Sequence, residues 1–520
     1  ARAERSSEQQ ARWLLAYMLD YHRREEKATW WEYFRLCELD GDALLDERAA
    51  VTGLALVHRV GDVLHKRTKK PTGGVVDRYR YPPQELELDA DDELRVQDHE
   101  EHTPFGTVVG VDRAARTIDV QKRRAHAEVH PVAAFALTYI PPRAIEDALT
   151  RIAERVASGT GGFDVARAVL ASDAPRLANG TLAPRAGELA GERALRVVNA
   201  LDRTVLAVQG PPGSGKTYCG ARMIVELVRH GKRVGITATS HSVIRKLLDE
   251  TAKASDGARV CIRLGQKVPT DDAAGGGSGG PRLFGDNAEA DAALATGEVD
   301  VMGGTAWFWA RPEVTSSVDV LFVDEAGQMA LPNVVAVSQA ATNLVLLGDP
   351  RQLEQPRRGD HPDGVDVSAL EHILDGHQTI PDDRGIFLPE TWRLPPSICR
   401  FTSELFYEGR LASRAGLDRQ RILGVDGLPE SGLALVCVEH EGNRSSCDEE
   451  VDVVATAIAR LTAPGARWVD GAGLVHELRG SDVLVIAPYN LQVNRLTDRL
   501  TGTGVRVGTV DRVQGQETAV

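Results

Sequence analysis

The sequence predicts an α/β fold built on parallel sheets, preceded by a helical segment and a small β-barrel. Three observations carry that prediction. From Val205 onward, unbroken apolar runs such as "VLAVQG", "RVGITAT", "VDVLFVDEA", "NLVLLGDP" and "DVLVIAPYN" alternate with helical patterns. A strand without polar alternation is buried on both faces, as in a parallel sheet covered by helices on each side. Ahead of that region, short alternating runs separated by turn residues fill about Gly53–Tyr139, the pattern of a small barrel. Finally, one apolar run leads directly into a glycine-rich turn and an amphipathic helix, "LAVQGPPGSGKTYCGARMIVELV".

Bulk properties set the frame. A chain of 520 residues is expected to hold several domains, since single cores rarely exceed ~250–300 residues. Its 42 % hydrophobic and 26 % charged residues are ordinary for a globular protein. No apolar run approaches the ~20 residues of a membrane-spanning helix, so no membrane partner is expected. The opening "ARAERSSEQQ" reads as the start of an excised segment. The six cysteines (Cys37, Cys219, Cys261, Cys399, Cys437, Cys447) show neither a CxxC pair nor metal-ligand spacing, which suggests reduced core thiols in a cytoplasmic protein. A net charge of −14 speaks against a surface that binds nucleic acid everywhere but leaves room for one positively lined groove.

Along the chain, residues 8–50 carry helical periodicity, and residues 1–52 form a helical connector. Trp30, Trp31, Tyr33 and Phe34 read as packing aromatics in preference to a base-stacking platform. Residues 53–140 form the barrel, whose Lys122, Arg123 and Arg124 offer either an extra basic grip or a solvated edge. Residues 141–200 form a helical stalk and linker, with "PPRAIEDALTRIAERVASG" showing Pro at its start, acids in the first turn and Gly at its end. The first α/β domain covers 201–380 and the second 381–520, with the break near Asp375–Gly385, where both periodicities lapse. "DDAAGGGSGG" is a flexible low-complexity loop, either natural or engineered in place of a longer insertion.

"GPPGSGKT" fits the phosphate-loop pattern from end to end: Gly210, Pro211, Pro212, Gly213, Ser214, Gly215, Lys216, Thr217. Glycines let backbone N–H groups converge on phosphate oxygens, and the helix that follows presents its positive end. Lys216 places a point charge near the β- and γ-phosphates, and the Thr217 hydroxyl can ligate Mg²⁺. In "VLFVDEAGQ", Asp324 at the strand end is placed to hold Mg²⁺ and Glu325 to orient and deprotonate water. The chemistry implied is NTP hydrolysis by in-line attack on the γ-phosphate.

The ordered set "DEAGQ", "LLGDPRQLEQP", "LPETWRLPPSI" and "VGTVDRVQGQE" resembles motifs II to V of the superfamily 1 helicases, and within them the Upf-like, 5′-to-3′ branch. "TATSHSVIRKLL", "GGTAW", "FTSELFYEGRL" and "VIAPYNLQ" extend that resemblance over about Val205–Val520. "WWEYFRL" and "YRYPPQE" are similar to the connector of bacterial proteins that fuse a RecB-like nuclease to such a helicase, the nuclease lying upstream. The resemblance implies tandem RecA-like P-loop domains, ATP and Mg²⁺ as cofactors, and single-stranded nucleic acid as partner, DNA in preference to RNA, for a monomer. It implies that Gln352 links the γ-phosphate to the gripped strand and that Arg393 is an arginine finger reaching the phosphates from the second domain. It gives Trp392 to the nucleotide base, with a core tryptophan as the alternative, and Gly515 and Glu517 to the ribose and phosphates. Ser240, His241, Thr305, Tyr489, Gln492 and Thr509 fall at strand-contacting positions; taken alone, His241 reads as a surface or core histidine.

The sequence departs from that pattern in three places. "AGERALRVVNALD" stands where a glutamine normally reads adenine, Arg351 stands where relatives often carry Gln, and no motif VI is present. The second motor domain is therefore expected to be incomplete and turnover slow. The function implied is an ATP-dependent translocase and helicase; the alternative is a nucleotide-gated nucleic-acid clamp with little unwinding.

Overall fold

A computed structural model describes residues 5–520 except 40–42, 45–46, 48, 66–67, 69, 83, 85, 98–103, 114, 138–139, 162–163, 271, 273–279, 353–356 and 514–516. Gly515, Tyr139 and nearly all of the glycine-rich loop thus lie outside the described residues. The chain divides into two compact units, one formed by residues 1–26 with 141–418, the other by 27–140 with 419–520.

In the second of these units, strands β1 (Ala50–Thr52), β2 (Ala55–Leu64), β3 (Pro71–Arg80), β4 (Glu93–Arg95), β5 (Gly106–Asp112), β6 (Thr117–Lys122) and β7 (Ala133–Ala136) make one sheet in the order β1-β7-β4-β5-β6-β3-β2. Every pairing is antiparallel, as the alternating pattern requires of the barrel-like sheet. Tyr79, Leu94, Ile118 and Val120 fill its inner face. Lys122 is part of that interior: its Nζ lies 2.7 Å from Asp77 Oδ2, with both side chains at 1 % exposure or less. It also donates to Tyr79 Oη and to the carbonyls of Ala127 and Val129. Lys122 is therefore neither a grip nor a solvated edge, while Arg123 and Arg124 are exposed. Of the four aromatics expected to pack, Tyr33 is enclosed against Phe135 and Leu36, whereas Trp31 is 66 % exposed.

The other unit holds an eight-stranded sheet, from β8 (Val205–Gln209), β9 (Val234–Thr237), β10 (Leu264–Lys267), β11 (Arg282–Phe284), β12 (Val301–Gly303), β13 (Val318–Val323), β14 (Ala341–Gly348) and β15 (Gly385–Phe387). Its order is β11-β10-β12-β9-β13-β14-β8-β15 and every pairing is parallel. Alternate residues face two separate cores, as the unbroken apolar runs predict. Val205, Ala207, Leu321, Val323, Leu344 and Leu346 join one core with helices Ser7–Met18, Arg143–Ser158 and Leu331–Val337. Leu206, Val208, Val320, Phe322, Val345 and Leu347 join the other with helices Ala190–Val198, Lys216–Arg229 and His241–Ala258.

The expected break at 380/381 falls inside this unit. Gly385–Phe387 pairs with β8 over Ala207–Gln209, so the chain stays in the first compact unit until Asp418. In the other unit, β16 (Leu484–Ile486) and β17 (Arg506–Gly508) are parallel and joined through helix Asn490–Arg499, a βαβ crossover of the second RecA-like domain.

Candidate nucleotide and nucleic-acid site

The carboxyl ends of parallel strands are where open α/β sheets bind ligands, because helix N-termini and loops converge there. Reading across this sheet, β12 leads to Thr305, β9 to Ser240, β13 to Asp324, β14 to Asp349, β8 to the phosphate loop and β15 to Trp392.

The phosphate loop is shaped by two residues that need a left-handed backbone, Gly213 (φ 74°) and Gly215 (φ 79°). A Cβ on Gly210 would lie 2.8 Å from Lys216 Cβ and 2.9 Å from Ser214 Oγ, so the loop closes tightly on its own lysine. Helix Lys216–Arg229 starts directly at Lys216 and points its N-terminus into the loop. Lys216 Nζ pairs with Glu325 Oε2 at 2.9 Å. Burial depresses the Lys216 pKa, but the Glu325, Asp324 and Asp349 carboxylates more than offset it and hold it above the ordinary lysine value.

Asp324 is 3 % exposed, and its backbone is fixed by donation from its N–H to Thr237 O at 2.8 Å. Burial pushes its carboxyl up to about 6 against the pull of the Lys216 ammonium. Glu325 leaves the strand with φ 51°, a left-handed turn that a non-glycine residue adopts at a cost, and its N–H donates to Asp324 Oδ1 at 2.9 Å. These residues fit a nucleotide with Mg²⁺. Ser214 Oγ and Thr237 Oγ1 are buried with no hydrogen-bond partner among the described residues, and a desolvated carboxylate at the strand end is a hard oxygen donor. Thr217 and Asp324 are the residues that would hold the ion.

The arginine segment docks on the same loop. Thr391 Oγ1 donates to Pro212 O at 2.9 Å, and Trp392 N–H donates to Gly213 O at 2.8 Å. A Cβ on Gly213 would stand 2.4 Å from Arg393 Cβ, so Gly213 admits the segment that carries Arg393. Residues 391–393 therefore belong to the compact unit of the phosphate loop, not to the other one as expected. Trp392 is 57 % exposed, which removes the core-tryptophan alternative, and the Arg414 guanidinium lies over its ring at 3.3 Å. Gln352 is half-buried in the turn after β14, where its N–H donates to Asp349 O at 3.3 Å.

On the strand side, Ser240 caps helix His241–Ala258 by accepting from Val243 N–H, and Thr305 precedes the short helix Ala306–Trp309. His241 is half-buried, its pKa lowered by burial and by Lys267, and its Nδ1 has no partner among the described residues.

Two family models, both described as AAA domain, match residues 191–369 and 365–520. The mouse 3'-5' exoribonuclease HELZ2 is 30 % identical over 223 residues, 39 % of this chain and 7 % of that protein. DNA polymerase alpha-associated DNA helicase A of Schizosaccharomyces pombe is 21 % identical over 377 residues, 60 % of this chain and 54 % of that protein. ATP-dependent helicase NAM7 of Saccharomyces cerevisiae is 23 % identical over 380 residues, 64 % of this chain and 38 % of that protein. The two matches together span residues 191–520, and the relatives that align there support a superfamily 1 helicase core. The chain spans at most 54 % of the length of these three relatives.

The remaining expected residues of the helicase core lie in its other compact unit. Tyr489 is 52 % exposed at the start of helix Asn490–Arg499, and Thr509 is half-buried just after β17. Glu517 is exposed. Gln492 corrects the sequence reading. It is buried, its Oε1 accepts from Cys447 N–H at 2.8 Å, and its Nε2 donates to Cys447 O and Glu450 Oε2. Its amide braces the start of helix Asp448–Leu461 and is not offered to a strand.

Sequence reasoning also passed over groups that this helicase core brings together. Asp349 is 1 % exposed and accepts from Tyr407 Oη at 2.6 Å, from Arg351 N–H at 3.2 Å and, more distantly, from Gln209 Nε2 at 3.5 Å. Burial raises its pKa, and these donors together with Lys216 pull it back. The available signal was an acid directly after the apolar run "NLVLLG", where only a hydrogen-bonded carboxylate is tolerable.

Proposed function

We propose that this chain is the motor part of an ATP-dependent translocase and helicase of 5′-to-3′ polarity that acts on single-stranded DNA, works as a monomer in the cytoplasm, and is joined to a RecB-like nuclease in its full-length form. One observation carries the reading. Groups suited to hydrolysis and groups suited to gripping a strand stand at the ends of neighbouring strands of one sheet, with the Asp349–Gln352 turn among them.

The roles follow from that placement. Lys216 exchanges its partner Glu325 for the terminal phosphate oxygens, which frees the carboxylate to orient a water and accept its proton. Arg393, brought to the loop by Thr391 and Trp392, stabilises charge that develops on the transferred phosphoryl group. Thr217 and Asp324 would hold Mg²⁺, which would supply positive charge against the phosphate oxygens. Trp392 offers its exposed face to the base. Ser240 and Thr305, with backbone amides beside them, contact strand phosphates without reading sequence.

The test is steady-state ATP hydrolysis with and without single-stranded DNA and RNA, followed by strand displacement on a 5′-tailed duplex. Stimulation by DNA with displacement supports the reading. Nucleotide-dependent strand binding with neither stimulation nor displacement would replace it with a clamp.

A further inference from the structure

A buried polar strut joins three segments around the nucleotide site. Tyr407, 2 % exposed, directs its hydroxyl onto Asp349 Oδ2 at 2.6 Å, a link between residues 58 positions apart. It follows helix Pro396–Phe406, which begins three residues after Arg393. Asp349 holds the turn after β14 from both of its ends: its side chain accepts from Arg351 N–H and its carbonyl from Gln352 N–H. Gln209, the last residue before the phosphate loop, completes the strut. Its Nε2 reaches Asp349 Oδ1 and Gln378 O, and its Oε1 accepts from Ile380 N–H at 2.7 Å. The segment around Tyr407 is itself clamped to residues 379–380, through Thr379 Oγ1 to Glu408 and Arg410 to Thr379 and Ile380 O.

Packing alone does not call for that hydroxyl. A phenylalanine would fill the same space beside Phe387, whose ring centroid lies 6.2 Å away. An enclosed hydroxyl is tolerated only where it is bonded, and here its acceptor is the carboxylate that shapes the Gln352 turn. We propose that Tyr407 is a positioning residue for strand-stimulated hydrolysis. Acting through Asp349, it sets where Gln352 stands relative to the phosphate loop and the Arg393 segment. This rests on the motor reading given above.

The experiment compares ATP hydrolysis by wild type, Tyr407→Phe, Asp349→Asn, Gln352→Ala and the Tyr407→Phe/Gln352→Ala double variant, each with and without saturating oligo-dT, alongside thermal midpoints. Loss of one charge-assisted hydrogen bond predicts that the stimulated-to-basal ratio falls about tenfold in Tyr407→Phe. The KM for ATP should stay within about twofold, because nucleotide contacts are untouched. Asp349→Asn should behave alike, and the double variant should be no worse than Gln352→Ala alone, since both changes act on one element. Three results would overturn the proposal: an unaltered ratio in Tyr407→Phe, losses that multiply in the double variant, or basal and stimulated rates falling in equal proportion with the thermal midpoint. An unstimulated wild type would instead remove the motor reading, and this inference with it.

Discussion

A methyl group at Gly213 tests how the arginine segment is held. With φ at 74°, an alanine there is forced into the left-handed region, at about 1–2 kcal/mol. Its Cβ would lie 2.4 Å from Arg393 Cβ and 2.7 Å from Thr391 Oγ1, so residues 391–393 must move off the loop. That movement breaks the Thr391–Pro212 and Trp392–Gly213 hydrogen bonds, each worth about 0.5–1.5 kcal/mol. Losing two such bonds disfavours the docked arrangement by about 2 kcal/mol, or roughly 30-fold in population. Arginine fingers contribute ~10³–10⁵ in rate on phosphoryl-transfer enzymes. The undocked population is then almost silent, and kcat should fall roughly 30-fold. Steady-state kinetics on Gly213→Ala, and on the same change in an Arg393→Ala background, read this directly. In that background the added loss should shrink to a factor of about three or less, because the group being displaced is already gone. A Gly213→Ala enzyme within threefold of wild type, or equal losses in both backgrounds, would refute the docking argument.

Lys216→Ala should abolish hydrolysis and weaken nucleotide binding, which titration of a fluorescent ATP analogue measures; near-normal turnover would remove the phosphate-loop assignment. Glu325→Gln should keep nucleotide and strand binding yet stop turnover, since an amide does not accept the proton of water; hydrolysis within a few-fold of wild type would point to another base. Glu188, gripped by Arg196 through both oxygens at 2.6 and 2.8 Å, has its carboxyl held down at about 2 from an ordinary 4.5. A depressed acid stabilises the fold above its unfolded value and loses that contribution as pH falls toward its folded value. Acid denaturation followed by circular dichroism between about pH 4.5 and 2 should therefore flatten in Glu188→Gln, whose stability at neutral pH should be lower; superposable curves would count against the pair.

What could be read from the residues alone was whatever is local in the chain. The phosphate loop and the Asp324–Glu325 pair each sit at the end of an apolar run, so the sequence carries both the chemistry and its address. Relations across the chain were hidden. Strand β15 is three residues long, too short to show a period, and its pairing with β8 moves the unit boundary past Trp392 and Arg393. Gln492 looked available because its position matched a strand-contact pattern, but whether an amide is free depends on Cys447 and Glu450, 45 and 42 residues away. Lys122 stood in a run of three basic residues, and only the inward pleat of β6 turned it toward Asp77. The Tyr407–Asp349 contact left no trace beyond the two motifs that contain its ends.

The enclosed Lys122–Asp77 pair has a further consequence, for register. Strands β3 and β6 now align Val75 with Lys122 and Asp77 with Val120. Because side chains alternate, a slip of two residues keeps every apolar group on its inner face, and hydrophobicity alone does not oppose it. Slipping toward Gly73 would set Lys122 four residues from Asp77 along the neighbouring strand, about 13 Å at the usual rise of ~3.3 Å per residue. Two charges would then be buried apart, at a cost of several kcal/mol per ion. Within this barrel the ion pair acts less as glue than as an index mark, which tells two interchangeable strands where to stop.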